Sequence, residues 1–390
     1  MKTTYLLLCL LGIGSVSGAG QTKQPQKIGD FIESTSYNEH RRNATRSLQY
    51  TPDGDDFVCI NGKNRFTRAL YGSHTAFRLE TSDRPVFAAY TKENPKHICF
   101  KLQTSGGTVA LDSTEHCESR YTAGRRSYSL SDPAFGGGSL SITTWALPDK
   151  EGAIWQFNAR NFKEFHPVLL ASISEIRNSK LNRNGDMGAD PADSFEAPLQ
   201  PQQLQSFPVQ IDGTLYILLE NQELRTLTTA EGENLFKKAE AARSETASRI
   251  RIETPDPYFN TLGGTLAMAA DGIWDGEVWL HGAIGWRMPL SGWRAAYTGD
   301  VLGWHDRART HFNAYAASQV TEVPNTFPHP AQDSALHLAR SVKKWGTPQY
   351  SNGYICRNPH RNNQMHHYDM NLCYIDELLW HFKWTGDLDY

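Results

Sequence analysis

Between about Asp55 and Leu227 the chain alternates short apolar runs with polar residues, and each run closes on Gly, Pro, Asn or Asp. Phe57–Ile60, Val86–Tyr90, Ser139–Trp145, Ala153–Phe157 and Thr214–Leu219 carry the pattern. Runs of this length, rich in β-branched and aromatic side chains and bounded by turn formers, predict antiparallel strands, and their number predicts a sandwich. The polar, proline-rich stretch from Lys180 to Phe207 predicts a long loop laid on that domain.

The period then changes. Thr228 and Glu231 stand at capping-box spacing, and Leu235, Ala239, Ala242 and Ile250 recur at helical intervals until Pro255 and Pro257 stop them. Beyond Tyr258, helical patterns over Asn260–Ala270, Leu302–Ser318, Asp333–Lys344 and Met370–Trp384 alternate with loops rich in Trp, His, Arg and Gly. Eight of the ten Trp lie here. The pattern divides the chain into an N-terminal segment 1–20, a β-sandwich domain 21–227, a linker helix 228–253 and a helical domain 254–390. Aromatic and ionisable residues on loops of such a scaffold place the chemistry in the last part.

Composition narrows the classes. A length of 390 residues with a net charge of −3 fits a globular two-domain chain. The near balance of charges provides no basic footprint for nucleic acid. Met1-Lys2, the apolar run Tyr5–Gly14 and the small residues Ser15–Gly20 match a cleavable export signal, and Cys9 within it lacks the small residue that lipid attachment requires. No later run is long enough to span a bilayer, so the mature protein is expected in the periplasm or outside the cell. The remaining Cys59, Cys99, Cys117, Cys356 and Cys373 show no C-x-x-C spacing, which speaks against structural zinc and a dense disulfide framework. Cys99 and Cys117 either pair or stay as buried thiols. Asn182, Asn184, Asp186 and Asp193 resemble a calcium loop, but Met187 stands where such a loop needs Gly. No cofactor is expected, a structural calcium ion there being the alternative.

The order of β domain, linker helix, Thr254–Asn260 segment and Trp-rich helices resembles the six-hairpin glycosidases, in which a β domain precedes an (α/α)6 barrel. The closing Leu378–Tyr390, an aromatic helix end followed by Thr-Gly-Asp, is similar to a turn that recurs in those barrels. A narrower likeness, to an uncharacterised family of secreted bacterial proteins with this layout, rests on Asn61–Gly72, Gly303–Arg309 and His366–Asn371. The resemblance implies a partial (α/α)6 barrel, because 258–390 holds two or three hairpins. It also implies a general acid early in the barrel, where Asp300 falls, and a second carboxylate beyond Tyr390.

Glycoside hydrolysis generally uses two carboxyl groups about 5–9.5 Å apart. Asp300 is the first candidate catalyst, with helix capping as the competing role: Thr298-Gly299-Asp300 repeats at Thr385-Gly386-Asp387, where a cap is the expected reading. Asp306 is the second, in the first turn of a helix, with an ion pair to Arg309 or a contact with Thr310 as its structural alternative. Asp275 and Glu277 form a further carboxylate pair, and of Asp376 and Glu377 one is expected to face the site. Trp274, Trp286, Trp293 and Trp304 are candidate sugar platforms or core residues. Arg287, Arg294 and Arg307 suit an acidic sugar or brace loops. His305, His366, His367 and Asp369 are candidates to bind hydroxyls. A His305–His311 metal pair fails the i, i+4 spacing.

Together these residues predict an exported glycoside hydrolase that acts on an oligosaccharide or polysaccharide of plant or host origin. Two alternatives stay open. One is a uronate lyase using Arg361, Asn363, His366, His367 and Tyr368; the other is a glycan-binding protein without turnover.

Overall fold

A computed structural model of the chain describes residues 50–63, 68–90, 95–162, 167–176, 204–283, 287–289, 291, 296–319, 321, 332–333, 338–339, 353–356, 358–359 and 368–390. The strands are β1 (Thr51–Asp53), β2 (Asp56–Ile60), β3 (Arg68–Leu70), β4 (Arg78–Thr81), β5 (Val86–Tyr90), β6 (Lys96–Thr104), β7 (Gly107–Ala110), β8 (His116–Thr122), β9 (Arg125–Ser131), β10 (Ser139–Ala146), β11 (Gly152–Arg160), β12 (Val168–Glu175), β13 (Gln205–Pro208), β14 (Thr214–Glu220) and β15 (Glu223–Leu227). One sheet runs β1-β2-β8-β9-β10-β11-β14-β15. The other runs β13-β12-β6-β5-β4-β3, with β7 added to β6. Neighbours in both are antiparallel.

The two sheets share a core built from the inward positions of their period-2 pattern. Phe87 and Phe100 of one sheet meet Trp155 of the other edge to face, with ring centroids 5.4 and 5.7 Å apart. Trp155, Phe157 and Ile217 are fully buried beside them. Cys99 lies against the Ser172 hydroxyl and Cys117 against the Asp83 carbonyl, so both are separate thiols and the Cys99–Cys117 disulfide alternative is overturned.

Helix α1 (Thr229–Ala247) begins at the reciprocal Thr228–Glu231 capping box. Its Leu235, Phe236 and Ala239 pack on Trp145, Tyr216 and Leu218, on the side of β10 and β14 away from the sandwich core. Glu240 fixes the helix by accepting from the Trp145 indole at 2.8 Å. The chain continues into α2 (Pro257–Asn260), α3 (Leu262–Gly272), α4 (Ala296–Val301), α5 (His305–Ala316) and α6 (Tyr368–Thr385). These helices enclose a smaller core of Trp274, Trp279, Trp304, Ala308 and Phe312. Gln49–Tyr390 forms one compact unit.

The described residues therefore build antiparallel sheets with a few helices, and not an (α/α)6 barrel. The expectation of a partial barrel is corrected accordingly. An apolar stripe on a helix reports only that one face is covered, and here Trp274, Trp279 and Trp304 cover it from the segments between α3, α4 and α5. The helix expected over Asp333–Lys344 also fails where it is described, because Gln332–Asp333 pairs with Leu338–Ala339 as a two-stranded ladder. No helix among the described residues is long and apolar enough to cross a membrane. The export segment 1–20 and the calcium-like loop from Asn182 to Asp193 lie outside the described residues.

Candidate functional site

Asp300 lies near the C-terminal end of α4, where Gly303 turns the chain through a left-handed conformation, its amide bonding to the Asp300 carbonyl, before α5 starts at His305. That tight reversal brings His305 Nδ1 to 2.7 Å from Asp300 Oδ1. α6 packs against both helices and adds His381, whose Nδ1 is 2.8 Å from Oδ1 and 3.0 Å from Oδ2 of the same carboxylate. Asp300 is 5% and His381 1% exposed, whereas the His305 side chain is 44% exposed. The Asp300 side chain thus meets two imidazoles and caps no helix.

A cavity of about 250 Å³ opens beside this cluster, lined by Ala296, Tyr297, Asp300 and Val301 of α4 and by Glu377, Trp380 and Trp384 of α6. Helical spacing explains the second set, since residues at i, i+3 and i+7 share a face. Glu377 is buried, while Trp380 and Trp384 are about half exposed. At the rim the Tyr297 hydroxyl donates to Asp376, and that bond raises the phenol's pKa.

The other candidates are placed elsewhere. Asp306 is exposed in the first turn of α5; Thr310 bonds its backbone carbonyl, and Arg309 instead pairs with Asp387. Glu377, and not Asp306, therefore joins Asp300 at the cavity. Trp274 and Trp304 are buried, and the Arg307 guanidinium stands 4.3 Å over Trp304 and 5.7 Å from Trp274, so these two indoles are core and offer no open face to a sugar. Arg307 is occupied by Asp271 at 2.7 Å. Arg287 donates to the carbonyls of Gly272 and His74, bracing two loops. Asp275 accepts from the amides of Glu277 and Val278 and closes a turn. Asp369 is exposed at the start of α6. Trp286, Trp293, Arg294, His366 and His367 lie outside the described residues, as do Arg361 and Asn363.

His311 is fully buried and separate from His305. Its Nδ1 accepts the Trp279 amide and its Nε2–H donates to the Ser291 carbonyl, which fixes the neutral tautomer. Burial lowers its pKa to about 4.

Sequence reasoning missed His381, Trp380 and Trp384 as site residues, and missed His74 and Asp271 altogether. A local signal existed for the first group: Glu377 and His381 stand four apart in a helical pattern that also carries Trp380 and Trp384. For the second none did, because His74 and Asp271 meet across 197 residues.

Residues 95–249 match a family described as a domain of unknown function (DUF4450). That span runs from β6 to the end of α1, so it holds none of the residues around the cavity. It also excludes Asn61–Gly72, Gly303–Arg309 and His366–Asn371, the segments on which the likeness to glycosidase-like secreted proteins rested. No curated protein matches the chain. With the barrel absent among the described residues, the six-hairpin assignment is withdrawn.

Proposed function

We propose that the chain is an exported hydrolase of glycosidic bonds, with the cavity between α4 and α6 as its binding site. One observation carries this reading: two buried carboxyl groups, Asp300 and Glu377, and two half-exposed indoles, Trp380 and Trp384, line the same cavity. The apolar face of a pyranose stacks on indole, and carboxylates accept its hydroxyls. Cleavage of the acetal then needs one group to protonate the leaving oxygen and one to act on the opposite side. Asp300 already accepts hydrogen bonds when both Nδ1 atoms carry protons, which suits it to the charged role. Glu377 is left as the proton donor.

The cavity volume of about 250 Å³ lies just below the roughly 300–1,000 Å³ of sites for larger ligands, which favours capture of one terminal ring. Export rests on the apolar run Tyr5–Gly14 and the small residues that follow it.

The test is turnover of a panel of oligosaccharides by the 390-residue chain, followed by reducing-end release and ultraviolet absorbance together. Loss of about 10²–10⁴ in rate for Glu377→Gln and Asp300→Asn, with binding retained, is the expected result. Growth of absorbance from an unsaturated uronate would replace the hydrolase with a lyase. A glycan that binds without turnover would reduce the reading to a binding protein.

A further inference from the structure

Asp300, His305 and His381 are donated by three different helices, and one ligand-type atom from each lies within 4.8 Å of the others. Both histidines direct Nδ1 at the carboxylate, with separations of 2.7, 2.8 and 3.0 Å. From this geometry we infer that the cluster is a binding site for one divalent first-row transition-metal ion. The inference stands on these three residues alone and holds even if the cavity takes no glycan.

The donor set is the first argument. Two imidazoles and one carboxylate form a common protein contribution to zinc and non-haem iron centres with open positions, whereas structural zinc sites close with four protein ligands. Geometry is the second. With metal–ligand bonds of about 2.1 Å, the two nitrogen–oxygen edges that meet at Asp300 Oδ1, 2.7 and 2.8 Å, correspond to angles of about 80–85° at the ion. Both imidazoles would therefore stand cis to the carboxylate oxygen in a five- or six-coordinate shell, whose remaining positions are left to water or ligand.

The surroundings supply both rigidity and access. His381 is held by Phe312 and Tyr390, ring centroids 5.6 and 5.5 Å away, so its ring cannot turn freely. His305 is half exposed, and Asp300 also forms part of the cavity wall, so the cluster borders both solvent and the cavity. With an ion bound, Asp300 is a ligand and no longer the second catalytic carboxylate, and Glu377 is the cavity carboxylate available for proton transfer.

The test uses the full chain, stripped with a chelator and titrated with Co²⁺ while its visible absorption is followed, then with Zn²⁺ in competition. One equivalent of Co²⁺ is expected to develop ligand-field bands that Zn²⁺ abolishes. His305→Ala, at a half-exposed ring, should weaken binding by at least about 10-fold while far-ultraviolet circular dichroism is unchanged. His116→Ala, at an exposed strand residue, should bind as the natural chain does. Binding of equal strength and stoichiometry in the natural chain and His305→Ala would place the metal elsewhere and overturn the inference, as would the absence of Co²⁺ bands from the folded natural chain. Asp300→Asn provides a second ligand variant, read the same way.

Discussion

The Arg307 guanidinium donates to the Asp271 carboxylate at 2.7 Å, an ion pair at the seam where the helices meet the β-sandwich. His74, from the loop before β4, reaches the same oxygen at 3.3 Å. Burial by itself raises the Asp271 pKa, but the bonds from His74 and Arg307 outweigh it and hold the carboxyl below its ordinary value.

Asp271→Ala should therefore lower stability by about 2–3 kcal/mol, because it leaves a partly buried guanidinium without its partner. Urea denaturation midpoints at neutral pH check this. A loss below about 0.5 kcal/mol would mean that solvent screens the pair.

His311 gives stability an acid limit at mild pH. Its folded pKa of about 4 lies below the ordinary 6.5, so the unfolded chain takes up a proton there that the folded chain refuses. This contribution is complete above pH 6.5 and is lost as pH falls from about 6.5 towards 4, at up to about 1.4 kcal/mol per pH unit. Asp271 acts lower: its folded pKa is depressed, so its stabilisation is lost only as pH falls from the unfolded carboxylate range through the folded value. Urea midpoints at pH steps between 7 and 4 should decline in the natural chain, and the decline should flatten in His311→Gln.

The tryptophans should divide into two groups. Trp274→Ala and Trp304→Ala remove core indoles and should destabilise by about 3–5 kcal/mol. Trp380→Ala and Trp384→Ala remove half-exposed rings at the cavity, leave stability nearly intact and weaken glycan binding by about 0.5–1.5 kcal/mol each. Thermal unfolding and calorimetric titration distinguish the groups.

The twin Thr-Gly-Asp segments should respond differently to one methyl group. Gly386 has φ +66 with open space around it, so Gly386→Ala should cost about 1 kcal/mol of backbone strain. A Cβ at Gly299 would come within 2.2 Å of the Trp279 ring, so Gly299→Ala should cost about 3 kcal/mol through overpacking. Equal effects in thermal unfolding would contradict this assignment.

The same tripeptide shows where sequence reading stops. Asp387 accepts the amides of Asp389 and Tyr390 and a bond from Arg309, with no helix after it to cap among the described residues. Asp300 follows the same residues, yet its partners His305 and His381 reach it from helices packed around it. No property of residues 298–300 distinguishes the two. Trp304 is a similar case: a Gly-flanked indole among charged residues reads as a platform, and packing under Arg307 makes it core.

The sequence by itself determined β2, β5, β10, β11 and β14 and the start of α1, because a period of two and a capping box are properties of neighbouring residues along one chain. It also carried the helical spacing of Glu377, Trp380 and Trp384. Tertiary structure decided that α4, α5 and α6 pack on one another, and that His381 meets Asp300 across 81 residues. Such meetings depend on which faces pack together, a choice governed by the shape and volume of side chains from every element at once. A periodicity reports that a face is buried without naming what buries it.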